Sequence, residues 1–282
     1  MRAAFLILCG LALMGAAWGA EIRVTSDPPL PVPNLVKNQG GEAGDAGKPA
    51  DWRFTTAIPD NFETGWGDDG RSGKCVWLKA KTGRMSGYWS QSVPVEGGKS
   101  YLFRGHLRLG GGKVLCYVHA RNRLPDGRSI AIDERTYRGS MRGHWLIPVF
   151  LPPDSLGGPD PRQWYPFRIP VRIPEGMTAA AFSLGIFFTP GEAAFDDLWA
   201  GLGETELAVT VKAGEGETLR RVTVTPIGSD KPVFDSKPLA GGTREFETKL
   251  AGQPTDNIYE VAATLEDGKV VTARYPEAGE TK

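Results

Sequence analysis

Apolar and polar residues alternate in short runs from Lys74 onward: Lys74 to Lys79, Tyr88 to Val95 and Ser100 to Leu109, with glycine pairs between them. A period of two sends successive side chains to opposite faces of a sheet, so each run predicts a strand. Lys113 to Arg121 follows Gly110-Gly111-Gly112 and predicts a hairpin with the strand before it. Further strands are expected at Trp164 to Ile173, Ala179 to Phe188 and Ala194 to Leu202. Residues 135–163, with Pro148, Pro152, Pro153, Pro159 and Pro161, read as a long loop or insertion carrying Trp145. Glu21 to Pro33 reads as an extended lead-in, and Gln39 to Lys48 as a loop. No segment keeps a helical period over three turns, so the chain is expected to be all-β.

After Gly203 the alternation becomes cleaner. Glu206 to Val211, Leu219 to Thr225, Pro232 to Asp235, Arg244 to Leu250, Ile258 to Leu265 and Lys269 to Tyr275 are expected strands, the last two joined by a tight Asp267-Gly268 turn. This pattern over 204–277 is that of a small immunoglobulin-like β-sandwich, followed by a short tail at 278–282. Tyr259 suits the structural role of a tyrosine corner.

Composition changes the picture in two ways. The 33 basic and 33 acidic residues of the 282-residue chain cancel, which excludes the positive footprint of a nucleic-acid or membrane-surface binder. The eight tryptophans are uneven: Trp18 lies in the N-terminal apolar segment and the rest between Trp52 and Trp199. The two halves are therefore expected to do different jobs. Residues 1–20 read as a secretory signal, with Arg2, an apolar run from Ala3 to Ala17 and the small-x-small Ala17-Trp18-Gly19. The run is too short and too rich in Ala and Gly for a membrane span, so a secreted or periplasmic protein is expected. Its removal leaves Cys75 and Cys116, either a disulfide or two buried thiols.

Three stretches read together. Asn34-Leu35-Val36-Lys37-Asn38 with Gly41-Glu42 and Trp52, then Ser90 to Phe103, then Trp164…Phe167…Val171…Pro174-Glu175-Gly176 through Pro190-Gly191…Phe195-Asp196-Asp197-Leu198, resemble the carbohydrate-binding-module jelly rolls (CenC-like, galactose-binding-like) beside bacterial glycanases. Gly41 stands where those modules usually carry an aromatic. The resemblance implies a jelly-roll β-sandwich over 34–203 and a polysaccharide or other glycan as partner. It also implies a structural calcium, with Glu42 and Asp196 as ligands and Asp197 beside them.

Sugars stack on flat aromatic faces and take hydrogen bonds from polar neighbours. In the strand Tyr101 to Leu109 the polar face carries Arg104, His106 and Arg108, and in Val114 to Arg121 one face carries Leu115, Tyr117 and His119. If the two strands form a hairpin, Arg104, His106, Tyr117 and His119 share one surface, the expected sugar platform. Trp66, in a Gly-rich loop, and Trp164 are the tryptophans expected to be exposed; Trp77 and Trp199 fit the core best, by the area a large ring buries. The histidines His106, His119 and His144 lack metalloenzyme spacing, and neither a G-x-S-x-G elbow nor a nucleotide loop is present. The readings are a non-catalytic glycan-binding protein, a jelly-roll lyase or hydrolase using the Tyr/His/Arg set, and an envelope structural protein with a protein partner. Without Arg2 the balance is 32 basic to 33 acidic, which suits a neutral glycan, while the Arg/His face leaves room for an acidic one.

Overall fold

A computed structural model describes residues 20–45, 48–121, 144–151, 160 and 162–276, with only the backbone of 120–121 and 144–151. Residues 1–19 of the expected signal segment, the tail at 278–282 and most of 135–163 lie outside these residues. The chain forms two units: Pro28–Thr205 with Gly252–Asp256, and a smaller one of residues 20–27, 206–251 and 257–276. Strand β1 (Glu21–Asp27) belongs to the smaller unit.

The larger unit contains the short bridges β2 (Gly44–Asp45) and β3 (Lys48–Pro49), then β4 (Arg53–Thr56), β5 (Phe62–Gly67), β6 (Cys75–Ala80) and β7 (Gly87–Pro94). It continues with β8 (Ser100–Leu109), β9 (Val114–Arg121), β10 (His144–Leu151), β11 (Tyr165–Arg172), β12 (Ala179–Ile186) and β13 (Gly191–Leu202). Two five-stranded sheets result, one in the order β10-β9-β12-β7-β4 and the other β11-β8-β13-β6-β5. The chain changes sheet at nearly every step from β6 to β13, which is the winding of a jelly-roll β-sandwich.

The core follows from the alternation. Phe103, Leu107 and Leu109 of β8 and Phe167, Ile169 and Val171 of β11 face Val114, Cys116 and Val118 of β9 and Phe182, Leu184 and Ile186 of β12. Phe182 is the link between the layers, with ring centroids 5.1 Å from Phe103 and 6.3 Å from Phe167. Pro166 and Pro170 are tolerated in β11 because it is an edge strand.

The expected hairpin does not form. β8 and β9 lie in opposite sheets, and the three glycines carry the chain across the edge of the sandwich. Gly110 N–H donates to the Glu192 carbonyl at 2.8 Å, and Phe187 N–H to the Lys113 carbonyl at 2.8 Å. Gly111 and Gly112 supply the φ values of 114° and 88° that this crossing needs. Two further expectations change: 135–163 contains a strand, β10, paired with β9, and the lead-in contains β1.

In the smaller unit β1, β14 (Glu204–Lys212) and β17 (Glu245–Pro254) form a three-stranded sheet. β15 (Leu219–Pro226), β16 (Phe234–Asp235), β18 (Tyr259–Leu265) and β19 (Val270–Tyr275) form a four-stranded one in the order β16-β15-β18-β19. Leu207, Val209 and Val211 pack with Val222, Val224, Val261 and the fully buried Tyr259. β1 stays because Ile22 and Val24 lie against this core and Ser26 hydrogen-bonds the Tyr275 hydroxyl at 2.6 Å. Among the described residues no helix is long and apolar enough to cross a membrane.

Candidate functional site

Because β8 and β9 belong to opposite sheets, the expected platform is divided. Arg104 and His106 project from the outer face of the β8 sheet, and Tyr117 and His119 from the outer face of the β9 sheet. The expected set of Arg104 and His106 with Tyr117 and His119 is thus split between the two sides of the sandwich.

On the β9 sheet, antiparallel partners share a face, so Tyr117, Ser183, Ser90 and Arg53 form one row across four strands. Tyr88 lies opposite Gly185, where a Cβ would overlap both the Gly87 carbonyl and the Tyr88 ring, so glycine is what lets that ring lie down. Tyr88 stands edge-on to Tyr117 at 4.8 Å and 87°, and His119 follows at 5.1 Å and 39°. The result is a half-exposed strip of three rings. Beneath it the hydroxyls of Ser90 and the buried Ser183 share a hydrogen bond of 2.8 Å. Burial pushes the Tyr88 phenol up to about 12 and raises that of Tyr117. Both phenols therefore remain neutral donors at physiological pH.

The other face is charged. Trp199 lies opposite Arg104, and Arg104 opposite Arg168. The Arg104 guanidinium stacks 4.9 Å from the Trp199 ring centroid, and Arg108 stacks 5.0 Å from that of Trp164. A cavity of about 440 Å³ opens here, with Arg104, His106, Arg71, Arg168, Trp199 and Pro166 among its lining. Arg71 is paired with Asp197 at 2.6 Å, and Arg168 with Asp256 at 2.7 Å. His106 Nδ1 is buried, 3.4 Å from Asp197 Oδ2 in a direction that makes no hydrogen bond. Burial, helped by Arg71, holds the His106 pKa below its ordinary value.

Trp199 was expected in the core. A β-bulge between Asp196 and Trp199 inserts one residue, with Asp197 at φ 51°, and this turns Leu198 inward and Trp199 outward. Asn34 pins the bulge, accepting from Ala200 N–H and donating to the Leu198 carbonyl, each at 3.0 Å. Trp77 is half-buried on the same outer face, its ring lying over Gly65. Trp66 belongs to β5 rather than to a loop, half-buried against Gly44 with Lys74 Nζ 4.7 Å from its ring. It joins neither face.

Of the three acidic residues, two converge. Glu42 and Asp196 both reach toward Gly40, where a Cβ would lie 3.1 Å from Glu42 Oε1 and 2.9 Å from Asp196 Oδ1. Asp196 is fully buried and accepts from Ser72 N–H at 2.9 Å and Asp197 N–H at 2.6 Å. Burial raises its pKa. The Asp197 carboxylate is taken by Arg71 and Ser72; burial alone would raise its pKa, but these hydrogen bonds outweigh that and hold it low. Among the described residues no three His, Cys, Asp or Glu side chains converge as metal ligands. Cys75 and Cys116 are buried free thiols, the former pushed to about 12 by burial and by Asp69.

No described protein family and no curated protein matches the chain. Solved structures similar to it include the enzymatically active domain of tailspike protein 4 of bacteriophage CBA120, at 16% identity and a TM-score of 0.45, over 60% of this chain. The chain spans about a fifth (21%) of that protein. Another is TmCBM61 in complex with β-1,4-galactotriose, at 14% identity and a TM-score of 0.39, over 60% of this chain and 99% of that one. A third is the CBM22-1 xylan-binding domain of Xyn10C from Paenibacillus barcinonensis, at 11% identity and a TM-score of 0.39, over 61% and 95%. Two of these three are carbohydrate-binding modules, the class the sequence resembles. The functional reading rests on the side chains of the two sheet faces.

Proposed function

We propose that this is an exported, non-catalytic polysaccharide-binding protein whose jelly-roll unit holds a glycan on the Tyr88, Tyr117 and His119 strip. The observation that carries the reading is three adjoining, half-exposed rings on one outer sheet face, flanked by Ser90, Ser92 and the exposed Arg53. Flat rings match the apolar side of a pyranose, and the hydroxyl and guanidinium groups match its hydroxyls. The smaller unit is an immunoglobulin-like spacer in this reading. Its strand order supports that, with the first, second and fifth strands on one sheet and the others on the second. Export rests on the segment from Arg2 to Gly19.

A structural calcium held by Glu42 and Asp196 belongs to the same reading. It is supported by a fully buried carboxylate for which no ion pair is recorded among the described residues, with a second carboxylate across Gly40. Calcium takes about 6–8 oxygens, so backbone carbonyls and water would complete the shell.

Retention on gels containing galactan, xylan or other neutral polysaccharides tests the proposal. Tyr117→Ala should weaken retention about tenfold, the loss of one good stacking contact of about 1.4 kcal/mol, with little change in melting temperature. Release of reducing or unsaturated ends would replace the reading with an enzyme. Absence of retention on every glycan would favour protein assembly.

A further inference from the structure

We infer that the groove beside Arg104, on the sheet opposite the tyrosine strip, binds the carboxylate of an acidic sugar, a uronic acid unit of a polysaccharide. The choice of a sugar rests on the glycan-binding reading above; the choice of an acid rests on the groove itself.

The charges in the groove pair off and leave one over. Arg71 is held by Asp197 and Arg168 by both oxygens of Asp256. Arg104 has no carboxylate partner recorded among the described residues and is exposed, stacked on Trp199. The Trp199 ring is itself fixed, because it lies over Gly201, where a Cβ would strike it. Cation–π attraction to the ring restrains the guanidinium, so much of its rotamer freedom is already lost while its N–H groups remain for an acceptor. That is a preset fork for two parallel hydrogen bonds to a planar carboxylate.

The space fits the rest of a sugar. Its volume of about 440 Å³ lies within the roughly 300–1,000 Å³ of small-molecule sites. Pro166 and Trp199 offer apolar surface, while His106 and Gln39 line it as hydrogen-bonding groups. Gln39 Oε1 accepts from Asn34 at 2.6 Å, which leaves its amide N–H groups for a hydroxyl. The groove and the tyrosine strip are on opposite faces of one sandwich, so an acidic and a neutral glycan would be read independently.

The full chain is titrated calorimetrically with polygalacturonate, with neutral galactan or xylan, and with dextran sulfate. The variants are Arg104→Gln, Arg104→Lys and Tyr117→Ala, each with its thermal melt. Wild type should bind polygalacturonate, and both Arg104 variants should lose about tenfold in affinity for it while keeping neutral-glycan affinity within roughly twofold. The lysine variant keeps the charge and loses the fork, so its loss identifies bidentate recognition. Tyr117→Ala should do the reverse. Polygalacturonate affinity unchanged by Arg104→Gln overturns the inference, as does dextran sulfate binding as tightly as polygalacturonate. Binding of a neutral glycan without polygalacturonate overturns it and spares the tyrosine-strip reading. Uronate binding lost with Arg104, with no neutral glycan bound, overturns that reading and spares the groove.

Discussion

The two outer faces of the jelly roll are made by the same alternation and end in different chemistry. On one sheet the outward positions are rings, hydroxyls and small residues: Tyr88, Tyr117, His119, Ser90, Ser183, Gly185. On the other they are arginines stacked on tryptophans, with carboxylates and prolines between: Arg104, Arg108, Trp199, Trp164, Asp196, Pro166. Inward positions on both are mainly aliphatic or aromatic, with Cys116 and Trp89 among them. The shared interior fixes where the faces are and the outward residues decide what each can hold. One interior substitution should therefore damage both faces, and one outward substitution only one.

The largest effect is expected from Phe182→Ala. Its ring is fully buried and meets Phe103 and Phe167 of the facing sheet, so truncation should cost about 3–5 kcal/mol in urea unfolding. Both glycan activities should fall together as the melt drops. A loss below about 1 kcal/mol would show that the sheets are not joined through this ring.

How far the sequence could be read follows from these elements. The in-out alternation of β8 and β9 was legible, and so the correct residues were assigned to outward positions. Which sheet each strand enters was not, because a glycine-rich connection serves a hairpin and a crossing between sheets equally well. The pairing partners of β8 are β11 and β13, about 60 and 90 residues away, and no local pattern encodes a partner at that distance. Trp199 was missed for another reason. Counting by twos from Phe195 puts it inside, and the bulge at Asp197 that reverses the count depends on hydrogen bonds from Asn34, far away in the chain. β1 was missed because a Pro-rich segment at 28–33 hides the clean alternation of Ile22, Val24 and Ser26 just before it.

Calcium removal should separate the faces with an intermediate effect. Glu42 and Asp196 lie with the Ser72 turn that also holds Asp197, beside His106 and the groove. With calcium at a hundredfold excess over its dissociation constant the gain would be about 2.7 kcal/mol. Chelation should then lower the melting temperature by about 5–10 °C in a unit of this size. Uronate binding should weaken more than neutral-glycan binding, and Glu42→Gln should remove the calcium response. An unchanged melt in purified, calcium-stripped protein on adding calcium would count against the metal.

The smallest effect is spectroscopic and acts on the tyrosine face alone. Burial raises the Tyr88 phenol from 10.0 to about 12, so between these values the unfolded chain loses a proton that the folded one keeps. Fewer protons bound in the unfolded state means that stability falls as pH rises through this window, and that the contribution is intact below pH 10. Alkaline pH should therefore weaken neutral-glycan binding before uronate binding. Phenolate absorbance should show late titration near pH 12 that Tyr88→Phe diminishes. If that variant instead removes a step near 10, Tyr88 is open to water and the strip is not packed as a unit.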